Sequence, residues 1–142
     1  MAADRTATTT WNGNLFEGSG AVTGRSGALN ELAVTWAART EQSDGKTSPE
    51  ELVAAAHSSC YSMALSNTLA QKGHEPDTIE VTATVTFVPG TGVTRSALKV
   101  VGTVPGLSEE EFKEIAREGE QNCPISNLIR QGTEITLDAS LR

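Results

Sequence analysis

A chain of 142 residues is long enough for one domain with a hydrophobic core and short for two. Hydrophobic residues make up 37% of it and aromatic residues only 4%, so aliphatic and small side chains must build that core. The formal net charge of -7 argues against nucleic acid and against an anionic membrane surface, because both bind clustered Lys and Arg. We therefore expect neither a nucleic-acid partner nor a membrane partner.

The first ten residues contain no apolar run that could act as a secretion signal, so we expect a cytoplasmic location. In a reducing compartment, a pair of cysteines is more often free, metal-bound or redox-active than joined in a structural disulfide. The chain has two cysteines, Cys60 and Cys123. The positions of these two thiols therefore carry most of the functional information.

The first predicted elements lie within residues 8–40, where a short, glycine-punctuated pattern is typical of β-strands. A polar loop over residues 42–47 separates them from a long helix. The sequence at 48–51, SPEE, combines an N-cap serine, a proline in the first helical position and a capping-box glutamate. We expect this helix to end near Lys72, just before a glycine.

The middle of this long helix, residues 52–71, contains no Asp, Glu, Lys or Arg. It is nevertheless too polar for a membrane span, because it includes His57, Asn67 and several Ser and Thr residues. A helix that is small and uncharged on all sides is normally buried on all sides. Since one sheet covers only one face, we expect a two-fold dimer in which sheets enclose two such helices.

The second half of the chain predicts three strands and two helices from its periodicity and its capping sequences. The strands are expected at 78–88, 94–104 and 133–141, and the helices at 108–118 and 122–130. With the first half, this gives an α+β fold of antiparallel sheet and three helices. We expect it to form a single domain over residues 1–142.

The two cysteines differ in their predicted surroundings. Cys60 lies mid-helix, where cysteine usually acts as a small buried hydrophobic residue. Burial would raise the pKa of its thiol, so a reactive Cys60 requires a nearby cation. Cys123 lies at a helix start, where the helix dipole favours a thiolate. The polar stretch before it, 119–122, indicates some exposure. The pair is compatible with a nucleophile and a resolving thiol, although spacing alone does not pair them.

Two other functions stay open on these residues. His57 precedes Cys60 by one helical turn, so the two side chains could bind a metal together with Cys123. A packed, hydrogen-bonded core histidine, or a hydrogen-bond donor near the thiol, is the alternative for His57. A non-catalytic stress protein or ligand-binding protein with an apolar cleft is the second open function.

Three segments resemble the osmotically inducible protein C / organic hydroperoxide resistance (OsmC/Ohr) family. They are residues 48–52 (SPEEL), 54–60 (AAAHSSC) and 122–126 (NCPIS). The resemblance extends over nearly the whole chain and includes the terminal strand. His57 and the sequence CPIS are more similar to the OsmC branch than to the Ohr branch.

The resemblance implies an OsmC-like intertwined homodimer, in which antiparallel sheets enclose two central helices. It implies reduction of organic hydroperoxides, and more weakly of hydrogen peroxide, with no metal or other cofactor. Cys60 matches the peroxidatic cysteine, Cys123 the resolving cysteine and Glu50 a carboxylate at the helix start. Arg39 matches the catalytic cation, with Arg25 as the alternative. The reductant would be a dithiol of the lipoyl type or another thiol, including thioredoxin, and the natural hydroperoxide stays open.

Helix geometry adds a prediction about the dimer. Glu50 and Cys60 are ten residues apart on one helix, which corresponds to about 15 Å along its axis. One arginine cannot easily contact both side chains in the same chain. We therefore predict that Glu50, and Arg39 with it, reach Cys60 from the other subunit.

Overall fold

The computed structural model describes all residues of the chain, Met1–Arg142. In chain order the elements are β1 (Ala7–Asn12), β2 (Ser19–Gly24), β3 (Leu32–Val34), α1 (Trp36–Thr40), α2 (Pro49–Gln71), β4 (Thr78–Val88), β5 (Gly92–Thr103), α3 (Glu109–Gln121), α4 (Pro124–Ile129) and β6 (Glu134–Leu141). The chain forms two compact units, Met1–Leu52 and Val53–Arg142. The expected single domain over 1–142 therefore stays a prediction.

The first unit contains an antiparallel sheet in the order β1-β2-β3. Gly20 of β2 pairs with Trp11 on one side and with Val34 on the other. A Cβ atom on Gly20 would lie 2.9 Å from the Trp11 ring and 3.0 Å from a Val34 methyl group. Glycine at this position lets the two large side chains pack over the strand.

The β-like pattern predicted for residues 8–40 is confirmed for three strands and is wrong for its last part, because Trp36–Thr40 is a helix. Thr35 adopts an extended backbone and its side-chain oxygen accepts a hydrogen bond from the Ala38 N–H at 3.1 Å. This N-cap starts a helix where aromatic and β-branched residues favour a strand by propensity. Arg39 consequently lies in the last turn of α1 and not on a strand.

The long helix α2 begins at Pro49 and ends at Gln71, as predicted. Ser48 Oγ accepts a hydrogen bond from the Glu51 N–H at 3.1 Å. The Glu51 carboxylate accepts a hydrogen bond from the Thr47 hydroxyl, so it does not close the expected capping box through the Ser48 N–H. Gly73, two residues after the last residue of the helix, has a positive φ of 84°, a conformation that ends helices and favours glycine.

The second unit contains a mixed sheet in the order β4-β5-β6. Strands β4 and β5 are antiparallel, as expected, but β6 runs parallel to β5, so an all-antiparallel sheet is wrong. The reason lies in the connection between β5 and β6, which includes two helices. Such a helical crossover returns the chain to the same end of the sheet and makes the following strand parallel.

The core of the second unit lies on one face of α2, where Tyr61, Leu65 and Leu69 are fully buried. They belong to one hydrophobic cluster with residues of α3, β5 and β6, among them Phe112, Leu98 and Ala139. The opposite face of α2 is exposed in the single chain, with Met63 at 67% exposure. A helix buried on all sides is therefore wrong for one chain alone. None of the helices is both long and apolar enough to span a membrane.

The short helices of the second unit confirm their predicted starts. Ser108 and Glu111 form a complete capping box at the start of α3, which continues to Gln121, slightly beyond its predicted end. Cys123 is the N-cap of α4, and Pro124 occupies its first position. The start of α4 consequently determines where Cys123 lies.

Candidate active site

The two cysteines are both free thiols in the second unit, and their exposures are the reverse of the prediction. Cys60, on α2, is half-buried, whereas Cys123 is 0% exposed. The sequence prediction of a better-exposed Cys123 is wrong, because its own side chain is buried although the two residues directly before it, Gln121 and Asn122, are exposed. Cys123 itself belongs to the hydrophobic cluster around Tyr61.

Backbone groups hold Cys123 from both sides. Its Sγ accepts a hydrogen bond from the Ser126 N–H at 3.4 Å, which is the capping contact of α4. Its own N–H donates to the Glu120 carbonyl oxygen at 3.2 Å. A buried sulfur with these contacts has little freedom to move unless the start of α4 moves with it.

The Cys60 thiol lies against the same turn of α4. Burial raises the pKa of Cys60, the Ile125 backbone N–H lowers it by a hydrogen bond, and the neighbouring Cys123 raises it by a side-chain hydrogen bond and by its charge. The net effect is a raised pKa. Within one chain, Cys60 is therefore a weaker acid than an ordinary thiol, and the two thiols are close enough to interact directly.

His57 lies in the core, one helical turn before Cys60, and is 0% exposed. Its Nδ1 is 2.7 Å from Ser96 Oγ and its Nε2 is 2.7 Å from Ser126 Oγ. Burial lowers the pKa of His57, the nearby Glu120 raises it, and Arg130 lowers it, with a lowered pKa as the result. The histidine is thus a neutral, hydrogen-bonded core residue, one of the two alternatives to a metal ligand that the sequence leaves open.

The ion pair between Glu120 and Arg130 ties α3 to the end of α4. Arg130 Nη2 is 2.8 Å from Glu120 Oε1, and the Glu120 residue is 5% exposed. The Arg130 Nε also donates to Asn127 Oδ1 at 3.2 Å. Sequence reasoning missed this pair, as well as the buried Ser96 and Ser126, because nothing in local spacing indicates which residues these side chains contact.

Arg39 and Glu50 form an ion pair in the first unit. The Glu50 carboxylate accepts from Arg39 Nε at 3.0 and 3.1 Å and from Nη2 at 2.7 Å. The Trp36 ring lies against the guanidinium, with 5.9 Å between the ring centroid and Cζ. Arg39, and not Arg25, is therefore the arginine that contacts Glu50. Its position on a short helix beside a buried carboxylate fixes the orientation of the charge.

An apolar cavity lies next to Arg39, also within the first unit. Its volume is about 450 Å³, and its lining includes Trp11, Val34, Trp36 and Leu52. The cavity thus combines a hydrophobic wall with one guanidinium. Such a site suits a molecule with an apolar body and a polar end.

The chain is similar to known proteins over most of its length. A family model described as OsmC-like protein matches residues 42–138. Peroxiredoxin OsmC of Escherichia coli is 38% identical over 135 residues, which cover 93% of this chain and 92% of the relative. Organic hydroperoxide resistance protein-like 2 of Staphylococcus epidermidis is 29% identical over 103 residues, or 70% of this chain and 71% of the relative.

A solved structure agrees with these relatives. An organic hydroperoxide resistance protein from Elizabethkingia anophelis superimposes with a TM-score of 0.74 and 26% identity, and the match covers 100% of both chains. The chain belongs to the OsmC-like family. The resemblance found in the sequence is confirmed, and so is an α+β fold with two small sheets.

As an OsmC-like protein, the chain is a cysteine-based, thiol-dependent peroxidase. Its two thiols are the only cysteines available for that chemistry. The rival metal site gains no support, because both ring nitrogens of His57 are already engaged by serine hydroxyls. No group of three or more His, Cys, Asp or Glu side chains is arranged to hold a metal ion.

Proposed function

We propose that this OsmC-like protein reduces organic hydroperoxides to alcohols through Cys60 and Cys123, and hydrogen peroxide more weakly. The observation that carries the proposal is that Cys60 packs against the hydrophobic cluster that contains Cys123, and that both thiols are free. Two free thiols at one cluster of a peroxidase are suited to a cycle that passes through an intramolecular disulfide.

In the first step the Cys60 thiolate attacks the distal oxygen of the hydroperoxide. An S–O bond forms, the O–O bond breaks, and the released alkoxide takes a proton to become the alcohol. Cys60 is oxidised to a sulfenic acid and the peroxide is reduced. The raised pKa of Cys60 in the single chain means that this step needs a cation that stabilises the thiolate.

In the second step the Cys123 thiolate attacks the sulfur of the Cys60 sulfenic acid. The S–S bond forms, the S–O bond breaks, and the departing hydroxide takes a proton to become water. A dithiol reductant, lipoyl-type or another thiol, then reduces the disulfide by two exchange reactions and leaves as its own disulfide. This closes the cycle without a metal or a prosthetic group.

Arg39 is our proposed cation, and Glu50 holds it in position. The three short contacts between them support these roles, because a paired guanidinium presents its remaining N–H groups in a fixed direction. Ten residues of helix separate Glu50 from Cys60, or about 15 Å. We therefore propose a homodimer in which each Cys60 receives Arg39 and Glu50 from the partner subunit.

The preference for organic hydroperoxides rests on two observations. The printed names of the relatives from S. epidermidis and E. anophelis refer to organic hydroperoxide resistance. The cavity of about 450 Å³ beside Arg39 has mostly apolar walls, including two tryptophans. An alkyl or aryl group buried there would gain about 25 cal/mol for each Å² removed from water, whereas hydrogen peroxide gains nothing.

Replacement of each cysteine tests the mechanism. We expect Cys60→Ser to abolish turnover of cumene hydroperoxide with a lipoyl dithiol as reductant. Cys123→Ser should consume one equivalent of hydroperoxide and then stop, with Cys60 trapped by dimedone as a sulfenic acid. Steady-state rates and intact-protein mass measure both outcomes. Full turnover by Cys60→Ser would rule out the proposed cycle.

A further inference from the structure

His57 is a buried titratable side chain that the proposed mechanism does not use. It joins three elements of the second unit, because it is itself on α2, Ser96 is on β5 and Ser126 is on α4. All three side chains are 0% exposed, and both hydrogen-bond distances are 2.7 Å. A polar network without water contact is stable only when its members stay paired, so it fixes the relative positions of its elements.

Ser126 connects this network to the resolving thiol. Its hydroxyl is the partner of His57 Nε2, while its backbone N–H donates to Cys123 Sγ at 3.4 Å. Helix α4 has only six residues, and Ser126 lies in its first turn. A displacement of Ser126 would therefore carry the Cys123 sulfur with it.

The same turn of α4 also contacts the other thiol. The Ile125 N–H hydrogen-bonds to Cys60, and Ile125 directly precedes Ser126. Two consecutive backbone N–H groups thus hold the two sulfur atoms. Since His57 lies one turn before Cys60 on α2, its bond to Ser126 spans the two segments that must meet in the disulfide.

We propose that His57 is a positioning residue that keeps the first turn of α4, and with it Cys123, in register with Cys60 for disulfide formation. The proposal rests on the proposed function, since it concerns the second step of that cycle. A disulfide has narrow limits on the separation of the two Cβ atoms and on its torsion angle. A small shift of α4 therefore slows the attack of Cys123 on the sulfenic acid without preventing its formation.

Two substitutions separate the two hydrogen bonds of His57. In His57→Asn the amide takes the position near Nδ1 and keeps only the Ser96 partner. In His57→Gln the amide reaches the position of Nε2 and keeps only the Ser126 partner. If the hydrogen bond from His57 to Ser126 positions α4, His57→Gln retains the rate of disulfide formation that His57→Asn loses.

The experiment is a single turnover with cumene hydroperoxide in the absence of reductant. The oxidation of Cys60 is measured by the loss of its thiol and by trapping of the sulfenic acid with dimedone. Formation of the disulfide is measured by mass spectrometry of alkylated samples. For His57→Asn we expect Cys60 oxidation to stay within about threefold and disulfide formation to slow by about tenfold to a hundredfold, as for small misplacements of reacting groups. His57→Gln should retain most of the rate of disulfide formation.

Tyr61→Phe is the matched control, because it removes a different buried hydrogen bond from the same helix, the one to the Ala116 carbonyl at 3.0 Å. We expect it to lower the melting temperature without slowing disulfide formation. Equal slowing in His57→Asn, His57→Gln and Tyr61→Phe would overturn the positioning role and leave His57 a packing residue. Failure of the unmodified protein to lose its Cys60 thiol on addition of the hydroperoxide would instead refute the peroxidase mechanism itself.

Discussion

In the proposed cycle, the charge state of Cys60 sets the rate at which a turnover can begin, because the thiolate and not the thiol is the nucleophile. Burial raises the pKa of Cys60, and the adjacent Cys123 raises it further, while one backbone N–H opposes them. A raised pKa means that less thiolate is present at neutral pH. An additional positive charge has to offset this effect, and Arg39 is the cation that we propose for this role.

Replacement of Arg39 tests whether its positive charge stabilises the Cys60 thiolate. In a Cys123→Ser background, we expect Arg39→Gln to raise the pKa of Cys60, so that its alkylation by iodoacetamide speeds up only at higher pH. Peroxide reduction at neutral pH should fall by about a hundredfold, as when one preorganised donor is removed. Arg39→Lys keeps the charge without the planar fork and should give an intermediate loss.

Arg25→Gln is the comparison for that experiment, because Arg25 is the other arginine that the sequence leaves open. It forms no ion pair with Glu50, so we expect its alkylation profile to match that of the unmodified chain. The opposite pattern, with a shift in Arg25→Gln and none in Arg39→Gln, would exchange the roles of the two arginines.

Single residues were predictable to different degrees. The sequence places Cys123 at a helix start, and the capping contact from Ser126 confirms it. The burial of Cys123 was not predictable, because it depends on how α3 packs against α2. Ser96 lies 39 residues from His57, and Ser126 lies 69 residues from it, so no local pattern could bring the three together.

Helix α3 illustrates how one residue controls the distance between two elements. Gly119 lies inside α3, where glycine normally costs about 1 kcal/mol relative to alanine. A Cβ atom at this position would lie 3.0 Å from the Leu65 Cα and 3.2 Å from its Cδ1. Glycine therefore lets α3 approach the backbone of α2, against which Phe112 and Ala116 also pack.

We expect Gly119→Ala to destabilise the protein by about 1 to 2 kcal/mol, because overpacking against a helix backbone exceeds the gain in helix propensity. Glu114→Ala, on the exposed face of the same helix, is the control and should stay within about 0.5 kcal/mol. Urea unfolding of both variants provides the comparison. A Gly119→Ala protein that is more stable than the parent would show that the two helices can separate at little cost.

At the level of elements, the sequence was most informative where capping residues and periodicity agreed. The ends of α2 and the start of α3 are examples, since serine caps and a terminal glycine act locally. The parallel pairing of β6 with β5 was not predictable from alternation, which is the same in parallel and antiparallel neighbours. Helix α1 was missed because a five-residue helix depends on its cap more than on propensity.

The exposed face of α2 is a feature of the whole molecule. This helix carries no charged residue from Leu52 to Gln71, yet Val53 and Met63 are 37% and 67% exposed in the single chain. An uncharged helix face in contact with water is typical of a surface that a partner covers. A second copy of the chain would bury this face and bring a second pair of Arg39 and Glu50 residues into the assembly.

Mixed dimers test whether the partner supplies these residues. We expect Cys60→Ser and Arg39→Gln homodimers each to be nearly inactive. A dimer of one Cys60→Ser chain with one Arg39→Gln chain should regain about half of the activity of the unmodified protein, because one of its two sites combines an intact Cys60 with an intact Arg39 from the other chain. Two affinity tags isolate the mixed species, and peroxide turnover with a lipoyl dithiol measures it.

The control for this experiment is a dimer in which one chain carries both substitutions and the other chain carries none. If the partner supplies Arg39, each site of this control dimer has one defective component, since the intact Cys60 faces the partner's Gln at position 39 and the intact Arg39 faces a Ser at position 60. The control should therefore be inactive. If Arg39 instead acts on the Cys60 of its own chain, the result reverses, with half activity in the control dimer and none in the mixed dimer. The two dimers contain the same substitutions, so differences in folding cannot account for a difference in activity between them.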